Sequence, residues 1–300
     1  MSNDFIQFFW EIGRAVLEGR NPYTITGNVY PPITSLFFVI FAIFPKQTSF
    51  ILWLIFNLII IAFFLGKKKP FIKNLIWIGY TPLLFTLIAG QLEIFFLWIY
   101  SYVCQDDQNS WMQVIAASLL TLKPQIALIL LPWVVIKWIK LERRKLFRWI
   151  ILCFSLHGFP FLISPELYVQ WWQSGSRVTA QYMTNSPGVF SLTSIGVPVY
   201  VLAPIATLIF FIGFKYFRVG SLQANILSIP YGTWYNSTLL VNSAPWQLLI
   251  PVSWVALFLS YQCKATYFFL LVSLFAFLWT IINQERKKIN NTMSAGDKGV

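Results

Sequence analysis

Ionisable residues are sparse in this chain, and those that interrupt its apolar stretches are the ones able to do chemistry. Asp4 opens an amphipathic stretch, and Gln7, Glu11, Arg14 and Glu18 follow it at helical spacing on one face. Two roles stand for Asp4. It can cap the helix start, with Gln7 three positions on, at about 1 kcal/mol. It can also act as a general base at a membrane face, because a capping carboxylate keeps one oxygen free. Glu11 and Glu18 compete for that role or simply solvate the polar face. Lys123 sits between two apolar half-helices and precedes Pro124. An ionisable group at membrane depth is costly and usually functional. Lys123 can bind a lipid phosphate as a point charge, or snorkel to the interface. Gln91 and Glu93 follow Gly90 where two helices meet, and an acid at position 93 also suits a helix start. His157, the single histidine, lies in an apolar run without a ligand partner and reads as a packed residue. Cys104, Cys153 and Cys263 show no CxxC spacing and read as small buried hydrophobes. No metal constellation is visible, so neither a metal nor a cofactor is expected.

The elements that must position these groups are membrane helices. The chain is 57% hydrophobic and 11% charged over 300 residues, against about 25% charged in soluble domains. Apolar runs recur from Phe50 to Ile282, several approaching the roughly 20 residues that a spanning helix needs. Short alternating segments are absent, which excludes a transmembrane barrel. The net charge of +12 does not point to nucleic acid, because the basic residues cluster between apolar runs. Lys67, Lys68, Lys69 and Lys73 form one cluster, and Lys137, Lys140, Arg143, Arg144, Lys145 and Arg148 another. Lys215 with Arg218 and Arg286 to Lys288 form two more. This positive-inside pattern marks cytoplasmic loops. The fold class is therefore all-α, a polytopic membrane bundle of about nine or ten helices preceded by an amphipathic interfacial helix.

The expected layout is one domain over residues 1–285 with a polar cytoplasmic tail over 286–300. Residues 1–47 form an outer loop holding the amphipathic helix, stopped at Gly19, and a half-embedded helix over Ile33 to Phe44. Asn21-Pro22-Tyr23 and Tyr30-Pro31-Pro32 fix the turns between them. Phe50 to Leu65 descends and Phe71 to Ala89 returns. Leu92 to Val103, Trp111 to Leu122 and Ile126 to Trp138 follow, then Phe147 to Ile163. Residues 164–196 form a second, polar outer loop. This layout gathers Asp4, Glu11, Tyr23, Tyr30, Gln91 and Lys123 on one side, opposite the basic clusters.

The order of motifs resembles glycosyltransferase family 87, enzymes of the GT-C fold that use polyprenyl-phosphate sugars and are often α-mannosyltransferases. Asp4-Phe5, a short helix, Gly19-Arg20-Asn21-Pro22-Tyr23 and Tyr30-Pro31-Pro32 are similar to the start of that family. Gly90-Gln91, Lys123-Pro124 and Asn185-Ser186-Pro187 resemble its later steps, and the resemblance runs from residue 4 to about residue 236. Glu93 stands where the family usually has Asn, and Gly232-Thr233-Trp234-Tyr235-Asn236 stands where many members carry a Trp-x-His-like step. The resemblance also implies a spanning helix ahead of the aspartate, for which Met1-Ser2-Asn3 leave no room, so the expectation is either a truncated chain or a start further upstream. No cleavable signal peptide is visible.

The resemblance implies a hexosyltransferase in the cell membrane with its site on the extracytoplasmic face. A lipid-linked sugar, commonly mannose, is the donor, and a glycan or glycolipid hydroxyl is the acceptor. Asp4 would take the acceptor proton, and the anomeric carbon would invert. Lys123, with Arg177 as a second cation, would stabilise the departing phosphate. Tyr23, Tyr30 and Gln91 would line the sugar pocket, with Glu11, Glu93 and Asn185 as further contacts. The lipid bilayer is the remaining partner. A transporter or flippase is the rival class, although no internal repeat supports it. A truncated inactive homologue is the third reading.

Overall fold

The computed structural model describes residues 4–66, 75–103, 110–215, 221–230, 233–241 and 244–296, with side chains described outside 65–66, 110, 175–182, 221, 234 and 287–296. The described residues are helical, with no strand among them. Among the described residues, four helices are long and apolar enough to cross a bilayer: Lys46–Phe64, Arg143–Ile163, Trp246–Cys263 and Thr266–Arg286. Their outward faces are strongly apolar, as at Phe63, Phe147, Phe154, Leu208 on a neighbouring helix, and Phe258. Water would not tolerate so much contiguous apolar surface, whereas lipid tails do. The protein is thus an integral membrane protein.

Other expected crossings are shorter or broken. Pro32–Ala42, Glu93–Val103, Trp111–Leu122 and Val199–Lys215 are apolar but short. The expected Phe71 to Ala89 helix is interrupted. A 3-10 turn Leu75–Gly79 ends at Tyr80, whose backbone is extended, and an α-helix Thr81–Ala89 begins anew with Pro82 in its first turn. Proline lacks the N–H needed to continue the upstream hydrogen bonding, so the chain restarts there. Ile126 to Trp138 is likewise split into a 3-10 turn Pro124–Ala127 and a helix Leu130–Leu141. The expected polar loop over 164–196 holds a helix Glu166–Thr184 and a 3-10 turn Val189–Ile195. Trp171 drives this departure from a loop: its indole packs inward and donates to the Val29 carbonyl at 2.8 Å. The last helix, Phe269–Gly296, continues through the residues expected as a polar tail. The lysine cluster 67–69 and 73, Cys104 and Arg218 lie outside the described residues.

The amphipathic start is a π-helical turn Phe5–Phe9 running into the helix Trp10–Leu17. Its stop at Gly19 is as anticipated. Gly19 has φ +68°, Gly19 N–H bonds Val16 O at 3.1 Å, and Arg20 N–H bonds Ala15 O at 2.7 Å, a Schellman closure. The cap at Asp4 is not as anticipated. Asp4 has helical backbone angles and no capping hydrogen bond, because its carboxylate is engaged elsewhere. The apolar face of this helix also covers protein. Phe5, Phe9, Ile12 and Ala15 are buried, and Phe9 stacks on Phe38 at 4.6 Å. At Gly13 an added Cβ would lie 2.4 Å from the Phe38 carbonyl oxygen, so the absence of a side chain permits this helix crossing.

Candidate active site

Three backbone interruptions meet around Asp4. The first is the N-terminal helix itself, anchored by Phe5, whose ring stacks on Trp53 at 5.5 Å and meets Phe38 and Phe41 edge-on. The second is the Gly90 turn. Gly90 takes φ +73° and its carbonyl accepts from Trp53 Nε1 at 2.9 Å. This turn sends Gln91 back towards the N-terminal helix, where Gln91 Nε2 donates to Asp4 Oδ2 at 2.5 Å. The Trp53 bond supports the turn from below. Trp53→Phe is expected to lower stability by about 1–3 kcal/mol, because a buried carbonyl loses its donor. A thermal unfolding midpoint in detergent measures this.

The third interruption is the 3-10 segment Trp234–Leu240. It is held against the helix Thr81–Ala89 by Thr86 Oγ1 and Thr238 Oγ1 at 2.7 Å, and by Tyr80 Oη donating to Ser237 O at 2.8 Å. Tyr235 from this segment hydrogen-bonds the Asp4 carboxylate.

Lys123 reaches the same cluster through Glu93 and Asn236. Pro124 disfavours helical angles at the residue before it, and Lys123 adopts φ −137°, ψ 72° between two 3-10 turns. The backbone groups freed by this break are satisfied by Asn225, which accepts from Ile129 N at 3.0 Å and donates to Gln125 O at 2.9 Å. Thr34 Oγ1 donates to Leu122 O at 2.8 Å and ties the break to the helix Pro32–Ala42. Lys123 Nζ bonds Glu93 Oε1 at 2.5 Å and Asn236 Oδ1 at 3.4 Å, and lies 5.7 Å from the Tyr30 ring centroid. Both partners of the ion pair are buried.

Asp4, Gln91, Glu93, Lys123 and Tyr30 are thus brought together, with Tyr235 and Asn236 added. Tyr23 stands one step out. Its hydroxyl donates to Tyr30 O at 2.9 Å, and Asn21 Oδ1 accepts from Tyr23 N at 2.8 Å, so Tyr23 shapes the loop that presents Tyr30. Glu11 pairs with Lys46, and Glu18 with Arg14 and Arg20. Asn185 Oδ1 accepts from Thr266 Oγ1 at 3.2 Å. Arg177 lies in the helix Glu166–Thr184, but its side chain is outside the described ones. His157 is a packed residue, with Nε2 2.7 Å from Thr121 Oγ1.

Tyr235 and Asn236 carry no role by type and spacing alone. Their signals are their place in the Gly232 to Asn236 stretch, where the resemblance has a Trp-x-His-like step, and the polar run Asn236-Ser237-Thr238. Among the described residues no group of His, Cys, Asp and Glu could hold a metal.

The electrostatics single out Asp4. Burial raises its pKa above the usual carboxylate value, the Gln91 hydrogen bond opposes that rise, the Glu93 charge adds to it and the Tyr235 hydrogen bond again opposes it. Burial also raises the Tyr235 phenol, and the negative charges of Asp4 and Glu93 raise it further. The phenol therefore stays protonated and donates to the carboxylate. The arrangement is a half-buried carboxylate held by two neutral donors beside a buried lysine–glutamate pair. Such a carboxylate can accept a proton from a bound hydroxyl, and the neighbouring ammonium can face an anion.

The model of the family described as glycosyltransferase family 87 matches residues 28–280, which include Tyr30, Gln91, Glu93, Lys123, Tyr235 and Asn236 but begin after Asp4. No curated protein and no solved structure gives a match. With that match over most of its length, the chain belongs to glycosyltransferase family 87 and is a glycosyltransferase.

Proposed function

We propose that this enzyme transfers a hexose, mannose in the first instance, from a polyprenyl-phosphate donor to an acceptor hydroxyl on the extracytoplasmic face of the cell membrane. The observation that carries this reading is the Asp4 carboxylate, fixed by Gln91 and Tyr235 within the cluster that holds Lys123. In the proposed step the acceptor hydroxyl gives its proton to Asp4 while its oxygen bonds the anomeric carbon. The bond from that carbon to the phosphate oxygen breaks, and the polyprenyl phosphate leaves with the electron pair. One carboxylate suffices, because a phosphate leaving group needs a fixed charged donor such as the Lys123 ammonium rather than a proton, unlike the two-carboxylate arrangement of glycoside hydrolysis. Attack opposite the leaving group inverts the anomeric centre.

The outer location rests on the basic residues. Lys137, Lys140, Arg143, Arg144, Lys145 and Arg148 flank the span Arg143–Ile163 at the end opposite His157 and Tyr168. Glycosyl transfer to a glycan or glycolipid in the presence of polyprenyl-phosphate-mannose, and its loss with other sugar donors, is the expected result for purified enzyme in lipid. Transfer only from a nucleotide sugar would overturn the donor assignment.

The base also sets a pH dependence. Asp4 must be ionised to accept a proton, so activity is lost as pH falls through its pKa. That pKa is raised, which places the acid limb of kcat/KM above the ordinary aspartate value of about 4. The charged and polar groups facing Asp4 are Glu93, Gln91 and Tyr235, with Lys123 behind Glu93. Gln91→Leu and Tyr235→Phe each remove a donor that favours the ionised form. Both are expected to move the acid limb to higher pH, read from kcat/KM profiles. A limb that stays in place in both variants would show that another group titrates.

A further inference from the structure

The lysine–glutamate pair beside Asp4 is incompletely satisfied. An ammonium has three N–H donors. Lys123 uses one on Glu93 Oε1 and a long one on Asn236 Oδ1, and for the third the described residues offer only the Tyr30 ring, whose centroid lies 5.7 Å from Nζ. Glu93 is fully buried, and its second oxygen, Oε2, has no hydrogen-bond partner among the described residues. A buried charged oxygen without a partner is strongly disfavoured unless something arrives to fill it. The pair as a whole is neutral, so it does not attract anions by net charge. It presents one open donor and one open acceptor, side by side on two bonded groups.

Its position relative to the base is fixed by two short backbone steps. Gln91 holds Asp4, and Glu93, two residues on, holds Lys123. Tyr235 holds Asp4, and Asn236, the next residue, holds Lys123. Both segments therefore touch the base with one side chain and the ion pair with another. A ligand reaching the open atoms of the pair lies next to Asp4.

We propose that the Glu93–Lys123 pair reads the junction between sugar and phosphate in the donor, with the open Lys123 N–H on a phosphate oxygen and Glu93 Oε2 accepting from the hydroxyl on the neighbouring ring carbon. This rests on the polyprenyl-phosphate reading above. The chemical reason is adjacency. The two open atoms belong to one ion pair, so the ligand must carry an acceptor and a donor that are also neighbours. In a glycosyl phosphate the phosphate oxygen is the acceptor. The ring oxygen beside the anomeric carbon carries no proton, so the only adjacent donor is the 2-hydroxyl. The ligand class is thus a glycosyl phosphate with a free 2-hydroxyl. The pair is a specificity device, and Asp4 remains the base.

The test uses the full-length enzyme in lipid with three polyprenyl-phosphate donors: the parent hexose, its 2-deoxy analogue and its 3-deoxy analogue. Removing the 2-hydroxyl makes the anomeric carbon intrinsically easier to ionise, so a slower reaction reports a lost contact. Wild-type enzyme is expected to lose about 10- to 100-fold in kcat/KM with the 2-deoxy donor, the range for a hydrogen bond to a charged group, and little with the 3-deoxy donor. Glu93→Gln keeps an oxygen for Lys123 but can turn the open acceptor into an N–H donor, and is expected to abolish the preference for the parent donor, leaving the 2-deoxy donor at least as fast. If that variant fails to fold, the wild-type donor series still decides. Transfer from the parent donor with no 2-hydroxyl preference overturns this inference alone, as does full discrimination by Glu93→Gln. Absence of transfer from every donor overturns the proposed function and this inference with it.

Discussion

Asp4→Asn is expected to lower kcat for sugar transfer by about three orders of magnitude, within the range for removing a general base. The substitution is nearly isosteric. An amide oxygen can still accept from Gln91 Nε2, and Tyr235 keeps a polar neighbour, so the local packing around Phe5 and Trp53 is preserved. What disappears is the ability to take a proton. A loss of that size corresponds to about 4 kcal/mol of transition-state stabilisation. Donor binding is expected to change little, because the Lys123–Glu93 pair is made by other side chains. The acid limb of the residual rate should also vanish, since the group that titrates is gone. Transfer by Asp4→Asn within a few-fold of wild type would remove Asp4 from the mechanism. The outcome carries weight because Asp4 lies ahead of the residues matched by the family.

The sequence made parts of this site legible and hid others for physical reasons. Gln91 and Lys123 stood out because a charged or amide group beside a glycine or proline is conspicuous in apolar sequence, and Asp4 because it is a carboxylate that opens an amphipathic stretch. Each does sit at a backbone interruption. The partnerships were not legible. Asp4 read as a helix cap, since spacing alone shows a carboxylate ahead of a helix and a glutamine three positions on. The hydrogen bond that replaces the cap comes from residue 91, and no local pattern encodes an interaction over that separation. Glu93 read as a helix-start acid, a role its position permits, while its pairing with Lys123 depends on how two broken helices meet. The segment holding Tyr235 and Asn236 was obscure because a re-entering 3-10 turn has neither the period of a helix nor the length of a span. Helix class was clear from composition, but the number of unbroken spans was not. Apolar runs of similar hydropathy became one helix at Lys46–Phe64 and two pieces around Tyr80. The difference was a single proline whose effect depends on whether a neighbour, here Ser253 Oγ accepting from Thr81 N at 3.3 Å, can satisfy the freed backbone.

Gly90→Ala is expected to lower kcat by about 100-fold while leaving the protein folded, the size of effect that follows a shift of about 1 Å in a catalytic group. Gly90 has φ +73°, a conformation that disfavours any residue with a Cβ by about 1–2 kcal/mol. The steric conflict adds to this. A Cβ at position 90 would lie 2.6 Å from Phe5 Cβ, 3.3 Å from Phe50 Cε2 and 3.4 Å from Trp53 Cδ1. None of these can retreat easily, because Phe5 is wholly buried in an aromatic cluster with Phe38, Phe41 and Trp53. The two backbones must therefore move apart. Phe5 follows Asp4 and Gly90 precedes Gln91, so the separation falls directly on the 2.5 Å hydrogen bond between Asp4 and Gln91. A longer bond holds the carboxylate less firmly and favours its ionised form less. The signature is thus double: kcat falls, and the acid limb moves to higher pH in the same direction as in Gln91→Leu. A merely structural defect would lower the amount of folded enzyme without moving the limb. Wild-type kcat in Gly90→Ala would show that the approach of Phe5 to the Gly90 turn packs the helix without positioning the base.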